Sequence, residues 1–309
     1  MQRPPMSRPA AHALLHATVI LWGFTAILGR EISITAVPLV FYRFVVTVLG
    51  LLVLAPLLGL HLRATPRAAL RYGAVGAIIG GHWLCFYGAI KYANIPTAVL
   101  TLSTMTFFTA VLEPIAFRRR AAIDELVIGA IVVLGVALLV QVELHADAAG
   151  LALGLASAFL GALFGVLNGL IVHDAPPVRL FFYEMIAGLL VVSTCFLFTP
   201  GSFVPPQALR AADIGWLVVL GVACTIVPQV WSLIVLRVLS PFTLAVTTNL
   251  EPVYALILTA ILFRDEQPLS ARFFGGAAVL LALVLVNGVR KATAKPKPAA
   301  KPTAGAASA

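Results

Sequence analysis

Four charged side chains stand inside long apolar runs of this 309-residue chain: Arg43, Glu113, Glu184 and Glu251. Glu251 lies in the middle of the stretch Ser240 to Pro268, SPFTLAVTTNLEPVYALILTAILFRDEQP, beside Thr247, Thr248, Asn249 and Pro252. A carboxylate at membrane depth is costly unless it is paired, protonated or facing water. Glu251 therefore reads as a coupling or substrate-contacting group, or else as a protonated acid bonded to a neighbouring helix. Pro252 has no N–H to give the carbonyl of Thr248. Unpaired backbone at that depth belongs in protein or against a wet cavity, so the helix is expected to border one.

Arg43 and Glu184 occupy corresponding places in the two halves of the chain with opposite charge. At about 1.5 Å per residue, Arg43 lies roughly 10 Å below one surface and Glu184 about 9 Å above the other. In a hydrocarbon core of about 30 Å that separation excludes a direct bond between them. Arg43 has the planar fork that grips a carboxylate; it is equally readable as a structural arginine bonding helix-end carbonyls. Glu113 is one turn from Arg118, Arg119 and Arg120, where an ion pair at the interface is expected.

The uncharged polar candidates are Thr225 and Gln229 beside Pro228, and Thr248 and Asn249 beside Glu251. His82 follows Gly80 and Gly81. It reads either as a group that titrates near neutral pH or as a neutral, hydrogen-bonded packing residue, and the glycines as a close helix contact. Nothing points to a cofactor or a metal. Cys85, Cys195 and Cys224 fall in apolar runs without ligand spacing.

The elements that must hold these groups are membrane helices. Hydrophobic residues make up 61% of the chain and charged ones 11%, less than half the charge of a soluble domain. The expected fold class is an all-α membrane protein with ten transmembrane helices, at 11–29, 36–58, 69–91, 96–117, 125–142, 149–173, 178–199, 212–238, 240–263 and 270–289. The net charge of +9 is then a membrane-topology signal, and no nucleic-acid partner is implied. With the N-terminus inside, fifteen Lys and Arg residues fall in cytoplasmic segments and five in outer ones, with Arg43 left in the membrane. Both termini are thus expected in the cytoplasm. Residues 1–10 precede a retained first helix rather than a cleaved signal, and the Pro/Ala-rich basic tail from residue 290 to 309 is expected to be disordered.

The chain also repeats itself. Phe117-Arg118 matches Phe263-Arg264 at an offset of 146, Thr97 matches Thr243, Thr101 matches Thr247 and Gly129 matches Gly275. Upstream, Trp22-Gly23 falls on Phe164-Gly165 and Phe41-Tyr42-Arg43 on Phe182-Tyr183-Glu184, at offsets of 142 and 141. Two repeats, 11–142 and 149–289, follow. An odd number of helices in each places the second upside down relative to the first, as in many secondary transporters.

The Trp-Gly of the first span, the five-plus-five layout and the SPFTLAVTTNLEPVYALILTAILFRDE run resemble the EamA family of the drug/metabolite transporter superfamily. In that family a proline and a following acidic residue in span four mirror Pro252 and Glu266; Thr106 and Arg120 stand there instead. The resemblance implies that spans one, three, four, six, eight and nine line a central pathway, which adds Trp22 and Asn168 to the candidates. It also implies export of an amino acid or similar small metabolite by alternating access. Without a nucleotide-binding motif, coupling is expected from an ion gradient, protons first. A lipid-head-group or sugar-phosphate carrier would need more intramembrane cations than Arg43. A non-transporting scaffold or receptor is the alternative of another class, and no intramembrane protease-type motif supports an enzyme. The expected partners are a small-molecule substrate and the lipid bilayer of a bacterial inner membrane; oligomeric state is not legible.

Overall fold

A computed structural model describes residues 6–140, 148–262 and 271–293. All regular structure there is helical: α1 (Arg8–Glu31), α2 (Ala36–Leu57), α3 (Pro66–Tyr92), α4 (Ile95–Ser103), α5 (Met105–Ala116), α6 (Ile123–Val140), α7 (Ala148–Ile171), α8 (Pro177–Phe198), α9 (Ala211–Gly221), α10 (Val227–Leu236), α11 (Pro241–Thr248), α12 (Glu251–Leu262) and α13 (Ala271–Thr293). Each of the ten expected segments is met by helix, one rod each except where a rod is broken. Seven rods are long and apolar enough to cross a membrane, with a shorter apolar helix at Phe274–Arg290. The tail expected to be disordered from residue 290 instead continues α13 to Thr293, where Arg290 is held by Asp124 and Glu125; the rest of it lies outside the described residues, as do Arg264 and Glu266.

Local chemistry explains where rods begin. Ser7, Thr65, Asn94 and Ser240 each accept a hydrogen bond from the backbone N–H three residues on, and each is followed by proline in the first turn. That combination satisfies one orphan donor and removes another.

Three rods are interrupted. α9 and α10 are joined by a π-helical turn, Val222–Ile226. α11 gives way to α12 at Asn249-Leu250, just before Pro252. α4 gives way to α5 at Thr104, with no proline following. On the repeat offset Thr104 corresponds to Leu250, so both halves break at the same place. In the first half the hydroxyl of Thr104 bonds back to the carbonyl of Thr101 at 2.6 Å, and Thr101 bonds to Thr97 at 2.8 Å. Such back-bonding bends helices, and it stands in for the missing proline.

The packing repeats with the sequence. α3 lies against α7 and α8, as the α9–α10 rod lies against α1 and α2; the α4–α5 rod lies on α7, as α11 and α12 lie on α1. α2 meets α8, and α6 meets α13, each with its own counterpart. Exchanging the halves leaves these pairings unchanged.

α3 and α8 cross backbone to backbone. A Cβ on Gly76 would meet the backbone of Glu184 at 2.2 Å, and one on Gly80 the backbone of Gly188 at 3.2 Å. Gly76→Ala is expected to cost about 3 kcal/mol or more through overpacking, against a gain of about 1 kcal/mol in helix propensity. Gly275, whose Cβ would meet nothing within 4 Å, is the control. Thermal unfolding of the purified variants, with Gly76→Ala well below Gly275→Ala, is the result this crossing requires.

Candidate functional site

Where the two halves meet they line a cavity of about 100 Å³. Its apolar wall includes Ile79, Phe86, Leu102, Met105, Phe164, Leu233, Leu236 and Leu244; its polar groups are Trp22, Thr25, Arg43, His82, Asn168, Gln229, Ser232, Thr248 and Glu251. Of the residues singled out from sequence, seven are brought together here: Glu251, Arg43, Gln229, Trp22, His82, Thr248 and Asn168. Trp22 and Phe164, matched by the repeat, both reach it.

Arg43 is 3% exposed and its partners are all protein. Its Nε donates to Thr225 Oγ1 at 2.9 Å and its Nη1 to Tyr87 Oη at 3.1 Å. The guanidinium lies 3.7 Å over the ring of Trp83, a desolvated cation–π contact. Thr225 sits on the π turn, and its own hydroxyl reaches back five residues to the carbonyl of Leu220 at 2.6 Å. The irregular turn thus presents a hydroxyl to the arginine, a use typical of π-bulges. Nη2 makes no hydrogen bond to any described residue.

Glu251 opens α12. The free N–H groups and positive dipole end of a half-helix favour a carboxylate there. α1 comes close at this point: a Cβ on Gly23 would touch the backbone of Ala255 at 3.2 Å and of Glu251 at 3.4 Å. Among the described residues no side chain hydrogen-bonds the Glu251 carboxyl, and no ion pair within 4.0 Å joins it to Arg43. The cavity therefore holds a cation and a carboxyl that do not touch.

The remaining candidates have assigned neighbours. His82 Nδ1 donates to the Ser157 carbonyl at 2.8 Å, with Ser157 Oγ 3.0 Å away, so the ring is anchored to α7 where it lines the cavity. Gln229 Oε1 accepts from Ser232 Oγ at 3.2 Å. Thr248 Oγ1 donates to the Leu244 carbonyl at 2.9 Å.

Asn249 and Glu184 do not line the cavity. Asn249 turns the other way, donating to Thr106 Oγ1 and to the Ala245 carbonyl. It ties the break of one half to Thr106 of the other. Glu184 is buried between α3 and α8, and no described side chain hydrogen-bonds it. Arg43 and Glu184 form no ion pair, in keeping with their depths. Glu113 does what its position implied and one thing more: Oε1 pairs with Arg119 at 3.1 Å, while Oε2 accepts the N–H of Phe242 at 2.7 Å and caps α11.

Sequence reasoning missed Trp83 and Tyr87 as the companions of Arg43. Their i, i+4 spacing on span three puts both on one helix face; that was the available signal. Ser232 was missed as well, and it carries none.

A helical, membrane-embedded body of two matching halves around a central cavity with opposite charges on its wall has the layout of a small-molecule membrane transporter. The family model of the EamA-like transporter family matches residues 10–141 and again 148–288. The chain belongs to that family, a family of transporters rather than enzymes within the drug/metabolite transporter superfamily. A solved crystal structure titled only "Crystal structure of protein" is similar in fold, with a TM-score of 0.75 at 15% identity over 93% of this chain and 100% of that one. No curated protein sequence matches the chain.

Cavity-facing and buried positions are separable by chemistry. In a background free of the three native cysteines, Gln229→Cys and Thr248→Cys are expected to react with a small hydrophilic thiol reagent, and Asn249→Cys to react at least about tenfold more slowly, a difference of about 1.4 kcal/mol in access. Equal rates at all three would place Asn249 on the cavity.

Proposed function

We propose that this protein is a secondary active exporter of a small zwitterionic metabolite of the amino-acid class, driven by exchange with protons through alternating access. The observation that carries this reading is the pair Arg43 and Glu251, facing one cavity of about 100 Å³ without touching each other. A guanidinium with Nη2 unoccupied suits a carboxylate. The carboxyl on the other part of the wall suits an ammonium. The space is smaller than the about 150 Å³ apolar cavity that takes up benzene, so the molecule it favours is small. Arg43 is the one Lys or Arg among the described lining residues, too few for a phosphate-bearing head group.

Coupling follows from competition. A carboxylate at Glu251 holds either a substrate ammonium or a proton, not both. A carrier that crosses only when this group is occupied then exchanges the two. With protons entering down their gradient, the substrate leaves. In this reading the chain spans a bacterial cytoplasmic membrane ten times as two inverted repeats, both termini inside. The exchange symmetry of the packing and the fifteen-to-five distribution of Lys and Arg support it.

Glu251→Gln mimics the protonated carboxyl permanently. Uphill export driven by a pH gradient in proteoliposomes is expected to fall about tenfold or more, while the protein stays folded. Undiminished gradient-driven export by a folded Glu251→Gln variant would remove the carboxyl from the coupling step.

Arg43→Lys keeps the charge and loses the fork. Export of an amino acid is expected to suffer, whereas its carboxamide analogue, which never made the contact, loses less. The coupling energy in this residue–substrate cycle is expected at about 1–3 kcal/mol, the size of a charge-assisted hydrogen bond. Equal losses for acid and amide would make Arg43 a purely structural group.

A further inference from the structure

Behind the cavity wall lies a pair of polar side chains with no assigned work. Glu184 on α8 is 0% exposed and Asn168 on α7 is 1% exposed. The carboxyl faces the Asn168 side chain, yet neither carboxyl oxygen and neither amide atom closes a hydrogen bond with a described residue. Asn168 borders the cavity; Glu184 does not. The Glu184 backbone is pressed against Gly76 of α3.

Among the described residues no cation pairs with the carboxyl. On the elements packed against α8, Arg43 is held by Thr225 and Tyr87, Tyr42 by the Val204 carbonyl, His82 by Ser157, and Arg71 by Asp174. Tyr72 lies ring to ring with Tyr183. α7 and α10 carry no titratable side chain. An ionised Glu184 would be an uncompensated buried charge, among the most destabilising arrangements in a protein interior. A protonated Glu184 has one donor, and Asn168 Oδ1 is beside it to accept.

We infer that Glu184 is a proton-binding site that sets the orientation of the Asn168 amide and, through it, the polarity of the cavity wall. With the proton on, the carboxylic acid O–H donates to Asn168 Oδ1, and the amide NH₂ is turned toward the cavity as a donor to a carboxylate. With the proton off, the carboxylate accepts from Asn168 Nδ2, and Oδ1 is turned toward the cavity, where it repels an anionic group. A single proton, bound out of reach of the substrate, thereby switches the wall between donor and acceptor. Asn168 is a positioning residue and Glu184 acts through it. The transport consequence rests on the proton-coupled reading above; the protonation and the amide link do not.

Infrared difference spectroscopy of the purified protein in lipid, without substrate, separates the two. At neutral pH the C=O stretch of a buried protonated carboxyl is expected in the wild type, lost in Glu184→Gln, and retained in Glu251→Gln. In Asn168→Leu it is expected to move to higher frequency as its hydrogen bond is lost; Asn168→Ser serves where the leucine variant does not fold. Identical wild-type and Glu184→Gln spectra would overturn the proton site. A band that Glu184→Gln removes but neither Asn168 variant shifts would overturn the amide link. The expected shift in a protein whose wild type shows no pH-driven export would uphold the site and sink the proton-coupled reading alone.

Discussion

A guanidinium buried inside an apolar bundle must be solvated by the protein itself, and the arrangement around Arg43 meets that demand. Trp83 supplies a π face, Tyr87 and Thr225 supply oxygens, and the π turn of the α9–α10 rod places the threonine. These contacts draw on α2, α3 and the second half of the molecule together. Losing one partner would leave a buried charge under-solvated, a cost of several kcal/mol in a low-dielectric interior. The mutual position of the two repeats is therefore fixed at the same point where a substrate carboxylate would be read.

The second constraint is backbone continuity. A helix through the bilayer satisfies its own N–H and C=O groups, and each break gives some of them up. The three interruptions lie at the core of the bundle, at Thr104, at Val222–Ile226 and at Asn249-Leu250. Each is repaired by a short polar side chain: Thr104 and Thr101 by back-bonding, Thr225 by reaching Leu220, and Asn249 by bonding both Ala245 and Thr106. The last of these crosses between halves, so the two breaks are linked by a side chain rather than only by symmetry. The rod ends freed by this repair are what place the N-terminus of α12, and Glu251 with it, on the cavity.

Much of this was legible in the chain. Among the described residues, apolar run lengths located the seven helices long enough to cross a membrane to within a few residues, because such helices announce themselves by composition. The repeat offset paired Trp22 with Phe164. The direction in which a side chain points was far less legible. Thr248, Asn249 and Glu251 are near neighbours in sequence, yet two face the cavity and Asn249 faces Thr106. A break in the helix resets the periodicity on which such assignments depend. The first-half break was also obscured, since its cause is threonine back-bonding rather than the proline seen in the second half. The solvation of Arg43 depends on contacts across 182 residues of sequence, which no local pattern encodes.

Charge satisfaction divides the molecule in a way that bears on mechanism. At one end of the bundle, Glu113, Arg119, Glu125, Asp124 and Arg290 form a joined network, and Glu113 also caps α11. At the other end, Asp213 holds both the N–H and the hydroxyl of Ser33. In both places acids and their partners are matched, as expected where nothing further is to be bound. In the middle the pattern reverses: Glu251, Glu184 and Asn168 lack partners among the described residues, and Arg43 has one nitrogen to spare. Unmatched polar atoms are most costly in the apolar centre, so packing alone would have removed them. Their position there, between ends where acids and bases are paired, is what the proposed exchange would use: a substrate's two charges at the cavity, and protons at the carboxyls.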